Sequence, residues 1–158
     1  KSLLRHKKCV STTKDFLPGT TFQRVIGETE KLVKDDDVKR AVICSGKVYY
    51  DLIEAREHEQ INDVAIIRLE QYYPFPSEDL GKELKRYKNA EVVWCQEEPK
   101  NMGAWTFVEP FIEELLQECK IKAKRPRYAG RPAAASPAAG YMKIHKRKQA
   151  ALIAEALK

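Results

Sequence analysis

The chain predicts an α/β fold, a mainly parallel sheet covered by helices on both faces, and three observations carry that expectation. Its 158 residues fit one domain, long enough to bury roughly two thirds of the unfolded surface without covalent staples. Continuous short apolar runs, as in Ala41-Val42-Ile43-Cys44, suit strands buried on both faces. Segments with helical spacing separate these runs, and a β-α-β-α-β-α-β-α alternation winds into a right-handed parallel sheet.

Residues 1–20 read as a connector. Lys1 to Lys8 is basic and aperiodic, and Pro18-Gly19 is a turn signal, after which Phe22 to Ile26 suits a short edge strand. Three like charges repel inside an element, so Asp35-Asp36-Asp37 marks a solvated turn. The core starts at Lys39. Ala41 to Cys44 forms the first buried strand, and Ser45-Gly46 breaks it into a helix over Lys47 to Glu59 with Tyr49, Leu52, Ile53 and Arg56 on one stripe. Val64 to Leu69 is the second. Tyr72-Tyr73-Pro74-Phe75-Pro76 is a proline-stiffened aromatic turn, and Ser77, with Glu78 and Asp79 behind it, caps a helix running to Tyr87.

Glu91 to Cys95 is a third buried strand, ending in a loop over Gln96 to Ala104. Val108, Phe111, Ile112, Leu115, Leu116 and Cys119 then give the helix Trp105 to Glu118 a strong apolar face. Lys124 to Tyr128 is a last strand. The run Ala133 to Gly140 is a small-residue linker, and Tyr141 to Leu157 closes the chain as a helix. Residues 21–158 therefore form the domain proper.

Composition excludes several classes. The four cysteines (Cys9, Cys44, Cys95, Cys119) lack CxxC spacing and read as reduced core residues, and the three histidines (His6, His58, His145) are too scattered for a metal site. No apolar run approaches the ~20 residues of a membrane helix, and Lys1 opens the chain with neither a leader-like apolar region nor an initiator methionine. That start suggests a processed product or a piece of a longer chain.

The net charge of +6 is unevenly placed: residues 120–158 hold eleven Lys or Arg against one acid, Glu155. Such a tail suits a nucleic-acid or acidic-partner surface. It equally suits a basic face set against an acidic neighbour in a larger protein. The second reading is preferred, because the cations interleave with Pro, Gly and Ala instead of stacking aromatics.

Three constellations could carry chemistry. Ser45-Gly46-Lys47 at a strand-to-helix turn could present backbone N–H groups to an anion, but it is too short for a P-loop, and a glycine that lets the chain turn and the helix pack closely, with Lys47 pointing to solvent or to an acid across an interface, explains it as well. Glu97-Glu98 could be an acid/base pair, possible in a stand-alone enzyme with Lys47; adjacent residues on extended backbone point to opposite sides, which disfavours cooperation. Cys95 beside those carboxylates has the wrong surroundings for a thiolate nucleophile.

Three segments carry a resemblance: Cys44-Ser45-Gly46-Lys47-Val48-Tyr49-Tyr50-Asp51-Leu52, Trp94-Cys95-Gln96-Glu97-Glu98-Pro99-Lys100-Asn101-Met102-Gly103-Ala104-Trp105 and Arg127-Tyr128-Ala129-Gly130-Arg131-Pro132-Ala133. With them the whole chain resembles the carboxyl-terminal domain of the thiamine-dependent decarboxylating component of 2-oxoglutarate dehydrogenase complexes, the third domain of the transketolase-like family. The resemblance implies a three-layer α/β/α fold with one antiparallel edge strand and an assembly or dimerisation role without catalytic residues of its own. It places thiamine diphosphate and magnesium on preceding domains. The partners it implies are those domains, a homodimer mate and the lipoyl-bearing second component, with no nucleic acid and no membrane. The setting it implies is the bacterial cytoplasm or the mitochondrial matrix.

By the same resemblance Glu97, Glu98, Asn101 and Trp105 belong to an edge loop that touches the catalytic domains or the dimer mate, with Tyr72, Tyr73, Phe75 and Trp105 left exposed in the lone domain. In some branches an acyl-coenzyme A effector sits near the stretch matching Thr21 to Arg24 and the strand end at Gln71. Thr21 stands where a basic residue would serve a phosphate better. Ser45 and Lys47 are further candidate anion contacts.

The chain lacks a diphosphate-and-magnesium constellation. Calorimetry with thiamine diphosphate and magnesium should therefore give no binding heat, and saturable heat at micromolar cofactor would overturn this.

Overall fold

A computed structural model describes residues 3–158; the first two residues of the expected connector lie outside the described residues. Five strands, β1 (Val25–Ile26), β2 (Arg40–Cys44), β3 (Val64–Leu69), β4 (Glu91–Pro99) and β5 (Arg127–Arg131), form one sheet in the order β1-β3-β2-β4-β5. All pairs are parallel except β1 against β3. Four helices join them: α1 (Val48–His58), α2 (Ser77–Leu84), α3 (Trp105–Glu118) and α4 (Met142–Leu157).

Because side chains alternate along a strand, each buried strand feeds two cores. Ala41, Ile43, Ala65, Ile67, Val92 and Trp94 face α2 and α3, meeting Leu80, Leu84, Val108, Ile112 and Leu116. Val42, Cys44, Ile66, Val93, Cys95 and Ala129 face α1 and α4, meeting Val48, Leu52, Leu152 and Ala156. The fold is thus the three-layer α/β/α arrangement that the alternation and the resemblance led us to expect. No helix of the described residues is long and apolar enough to cross a membrane.

Several boundaries move. The edge strand shrinks to Val25–Ile26, and β5 begins three residues late, at Arg127. Ser77 is the first helical residue of α2, with Pro76 at the cap position and no side-chain cap bond; proline's fixed φ starts the turn without a hydroxyl acceptor. The helix ends at Leu84 and tightens into a 3-10 turn over Lys85–Tyr87. The Asp35–Asp37 run is an exposed 3-10 turn, one carboxylate of which pairs with Arg86 at 3.1 Å. The largest change is in β4, which continues past Cys95 to Pro99, so the expected loop is half strand.

Arg56, read as part of an apolar stripe on α1, has a more specific role. It is 3% exposed, and its guanidinium forms a fork on the Glu28 carboxylate, with Nη2 donating to Oε1 at 3.0 Å. Its Nη1 also donates to the Val64 carbonyl at 2.9 Å, and the Ile66 N–H donates to Glu28 at 2.8 Å. Beyond the two residues of β1, β3 would leave backbone groups without a strand partner, and the pair supplies one. Burial raises the Glu28 pKa, but Arg56 and the N–H groups of Glu30 and Ile66 outweigh it and hold the carboxyl below its ordinary value.

At the amino end of the sheet a second ionic group closes α4. Glu91 accepts from Arg40 Nε and Arg127 Nε, both at 2.6 Å, and the two arginines donate onward to the carbonyls of Ala156, Lys158 and Glu155. Cations at a helix carboxyl end satisfy orphan carbonyls and oppose the negative end of its dipole.

A depressed carboxylate contributes stability that is fully present above its unfolded pKa and fades as pH falls through the lower folded value. Denaturant melts across acid pH should show this loss below about pH 4. Glu28→Gln should remove it and cost roughly 3–5 kcal/mol at neutral pH, because Arg56 stays buried without its counter-ion.

Candidate functional site

In a sheet wound both ways from β2, the strand order reverses between the parallel neighbours β2 and β4, and the crevice outside the carboxyl ends of those strands is where ligands and partners gather. A cleft of about 280 Å³ lies there, lined by Ser45 after β2, Tyr72 after β3, Trp94, Gln96 and Glu98 of β4, and Gly103 and Phe107 at the start of α3.

The cleft wall is built around one buried amide. Gln96, 4% exposed, accepts at Oε1 from Trp94 Nε1 at 2.9 Å and from the Trp105 backbone N–H at 3.0 Å. Its Nε2 faces the carbonyls of Met102 at 2.7 Å, Pro99 at 3.2 Å and Glu98 at 3.3 Å. One side chain therefore ties the strand end, the turn and the first N–H of α3. Gly103 makes room for it: φ is +69°, and a Cβ there would sit 2.9 Å from the Gln96 amide. Sequence reading placed Gln96 only at the start of a loop; nothing in its spacing distinguished it from a surface glutamine.

Glu97 and Glu98 diverge, as extended backbone requires. Glu98 lines the cleft and is exposed. Glu97 points to the α1/α4 side, accepting from Gln149 Nε2 at 2.8 Å and pairing with Lys47 at 3.5 Å. Lys47 also meets Asp51 at 2.7 Å. Burial lowers the Lys47 pKa, but Asp51 and Glu97 outweigh it and raise the value. The ammonium is thus committed to two carboxylates. Its acids belong to the same domain, where the sequence led us to expect solvent or an acid across an interface. Gly46 has φ +71° with no atom within 4 Å of a Cβ, so the turn needs its conformational freedom and helix packing does not.

The remaining candidates scatter. Asn101 Nδ2 donates to the Ala134 carbonyl at 3.1 Å and its Oδ1 accepts the Ala134 N–H at 3.0 Å, clamping the linker after β5. Arg24 and Gln71 meet at the other edge, where the Arg24 carbonyl accepts the Gln71 N–H at 3.3 Å, but Arg24's guanidinium pairs with Asp79 at 2.7 Å and Gln71's amide donates to Pro74. Thr21 is exposed, and Ser45 lines the cleft with Tyr72.

Of the four aromatics expected to be exposed, Tyr73 (78%) and Tyr72 (38%) are, and Phe75 is half-buried, stacked on Phe111 at 4.9 Å. Trp105 is a correction. It is 5% exposed, because the Gln96 knot draws the first turn of α3 onto the core beside Tyr128. Phe107, 39% exposed, takes its place at the rim.

Cys44 and Cys95 are adjacent across the parallel pair and buried. Burial pushes the Cys95 thiol up to about 12, with the Glu97 charge adding to it, so neither chemistry nor metal binding is set up there. Among the described residues no group of three or more His, Cys, Asp or Glu side chains is placed to hold a metal ion. The cations of the basic tail are partly spent internally: Arg125 pairs with Glu109 and Glu113, Arg127 with Glu91, and Lys158 with Glu59.

Residues 10–157 match the family described as 2-oxoglutarate dehydrogenase C-terminal. Similar curated proteins include the 2-oxoglutarate dehydrogenase E1 components of Brucella anthropi, 52% identical over 165 residues, Brucella ovis, 51%, and Brucella abortus, 50%. Each alignment covers 99% of this chain and 16% of the relative, so the chain spans a small part of the length of the proteins it matches.

Gln96→Leu should leave the Trp94 indole N–H, the Trp105 N–H and up to three carbonyls without their partner. At about 1–3 kcal/mol for each group left both buried and unpaired, the variant should lose at least ~3 kcal/mol in a denaturant melt. A loss under ~1 kcal/mol would mean that the amide does not hold the turn.

Proposed function

Because the chain belongs to the 2-oxoglutarate dehydrogenase C-terminal family, we propose that it is a non-catalytic assembly domain of a 2-oxoglutarate dehydrogenase E1 component. In this reading the full enzyme oxidatively decarboxylates 2-oxoglutarate and passes a succinyl group to the lipoyl group of the second component, in a cytoplasmic setting if the host is bacterial. The domain supplies shape and contact area at a homodimer or interdomain boundary. Turnover belongs to the preceding domains.

One observation carries the proposal. The cleft at the carboxyl edge is aromatic and open, lined by Tyr72 and Phe107, with the exposed Tyr73 next to Tyr72 in the chain. Exposed aromatics grouped at the ligand-facing edge of a sheet mark an interaction surface. The cleft does not fit the diphosphate of thiamine diphosphate: Glu98 is its one charged lining residue, and a carboxylate repels that group. Thiamine diphosphate and magnesium are accordingly assigned to the rest of the longer enzyme.

The divided carboxylates support an architectural role over an acid/base one. Glu97 is held by Gln149 and Lys47 on one side of β4, while Glu98 opens on the other, so the two cannot share a proton or flank one substrate bond. A reading as a nucleic-acid module has less support, since several tail cations already face acids within the domain.

Tyr73→Asp should leave the melt of this chain nearly unchanged, since that side chain is 78% exposed, and Phe107→Asp should lower it modestly, since its ring packs on Phe111. In the full-length enzyme the pair should weaken dimer assembly by roughly tenfold or more in sedimentation, with turnover per assembled dimer little altered. Full assembly of both variants would rule the cleft rim out as the interface.

A further inference from the structure

A buried guanidinium normally has a carboxylate beside it, because an unpaired charge out of water is costly. Arg131, at the end of β5, departs from this. It is 8% exposed, yet its Nη2 meets only neutral acceptors: Gln149 Oε1 at 3.0 Å and His145 Nδ1 at 3.3 Å. Its Nε is buried without a hydrogen-bond partner, and no carboxylate of the described residues pairs with it.

Gln149 explains how that charge is kept apart. Its Nε2 donates to Asp51 and Glu97, each at 2.8 Å, which turns Oε1 toward Arg131. Lys47 offsets one of the two carboxylate charges, and the Gln149 amide stands between that pair and the Arg131 guanidinium. The His145 nitrogen that faces the guanidinium must carry its lone pair there, so the imidazole adds no negative charge and accepts without compensating.

Arg131 lines a crevice of about 70 Å³ between Pro99 of β4, the linker residues Ala134 to Ala139 and Lys148 of α4. Lys148 supplies a second cation, and no acidic residue lines it. Its volume equals about two waters' share of liquid, the scale of one small oxyanion. The linker roof is fixed by the two Asn101 bonds to Ala134 and by Ser136 Oγ donating to the Ala138 carbonyl at 2.8 Å. A preformed cavity, a buried unpaired guanidinium and a flanking ammonium are together the requirements of an anion site.

We propose that this crevice binds a small oxyanion, with Arg131 and Lys148 as its cations and inorganic phosphate as the simplest ligand. The site lies on the α4 side of the sheet, opposite the aromatic cleft, and does not depend on the assembly role given to that cleft.

Phosphate titration of the isotopically labelled chain, followed by amide and arginine side-chain NMR at an ionic strength held constant with chloride, tests this. Saturable shifts should be confined to Arg131, residues 134–139 and Lys148, and Lys148→Gln should weaken binding roughly tenfold, about the effect of one lost charged contact. Lys148 is half-exposed, so this variant should keep the native melt; Arg131→Lys, which keeps the charge but loses the fork, should also weaken phosphate. Shifts that fail to saturate and spread along Lys143, Lys146 and Arg147 would mean general screening and overturn the proposal. So would an unchanged affinity in folded Lys148→Gln.

Discussion

The carboxyl edge of this domain depends on a single side-chain amide. A strand that runs on past its core, a tight turn and a helix amino end all leave backbone groups without regular partners, and each must be satisfied if the edge is to be rigid. Gln96 does this with both ends of its amide, two donors converging on Oε1 and the turn carbonyls gathered around Nε2. No other uncharged residue type carries an acceptor and a two-proton donor on a stem of this length. Gly103 is a consequence: the amide occupies the space a Cβ would need. So is the burial of Trp105, whose N–H is one of the bonds.

From that knot the two faces of β4 acquire different characters. Trp94, Gln96 and Glu98 fall on the α2/α3 side, where an apolar core gives way to an amide and then to an open cleft. Cys95 and Glu97 fall on the other, where the core gives way to a polar chain from Lys47 through Asp51, Glu97 and Gln149 to Arg131. One face ends in surface able to meet another protein. The other ends in charge arranged within the domain. Strand alternation alone produces the division, so a one-residue slip of β4 would exchange the two sets and destroy both.

Much of this was legible in the sequence. The buried strands announce themselves as unbroken apolar runs, and the helices by spacing, so the layer order and the opposed directions of Glu97 and Glu98 follow from period alone. What was not legible turns on polar side chains whose partners are distant in the chain. Glu28 and Arg56 are 28 residues apart; Arg56 read only as one position of the α1 stripe, and Glu28 carried no signal, until β3 brings them together. Arg131 read as one cation of the basic tail and Gln149 carried no signal, yet the first is buried and the second holds its guanidinium. The extension of β4 through Glu97-Glu98-Pro99 was hidden because carboxylates and proline weaken a strand signal. There β4 runs beyond its paired neighbour, and β5 skips two residues of it between Gln96 and Pro99. An irregular, outermost stretch of ladder tolerates residues that a central one would reject.

The same contrast bears on where rigidity resides. The sheet's amino end is closed by Arg40, Glu91 and Arg127 onto the last carbonyls of α4, and its antiparallel edge by Glu28 and Arg56. Burial raises the pKa of Glu91, but Arg127 and Arg40 outweigh it and hold the carboxyl low, so both groups keep their charge at neutral pH. Three polar clusters therefore brace three margins of one sheet; the two ionic ones join elements distant in sequence, and Gln96 ties β4 to the turn and helix that follow it. The apolar layers alone would permit small sliding of helices over the sheet, since hydrophobic contact is non-directional. Directional bonds at the margins remove that freedom. The proposed assembly role asks for a fixed surface, which needs the margins of the sheet held more than it needs a larger core, and the margins are where this sequence places Glu28, Arg56 and the buried Gln96.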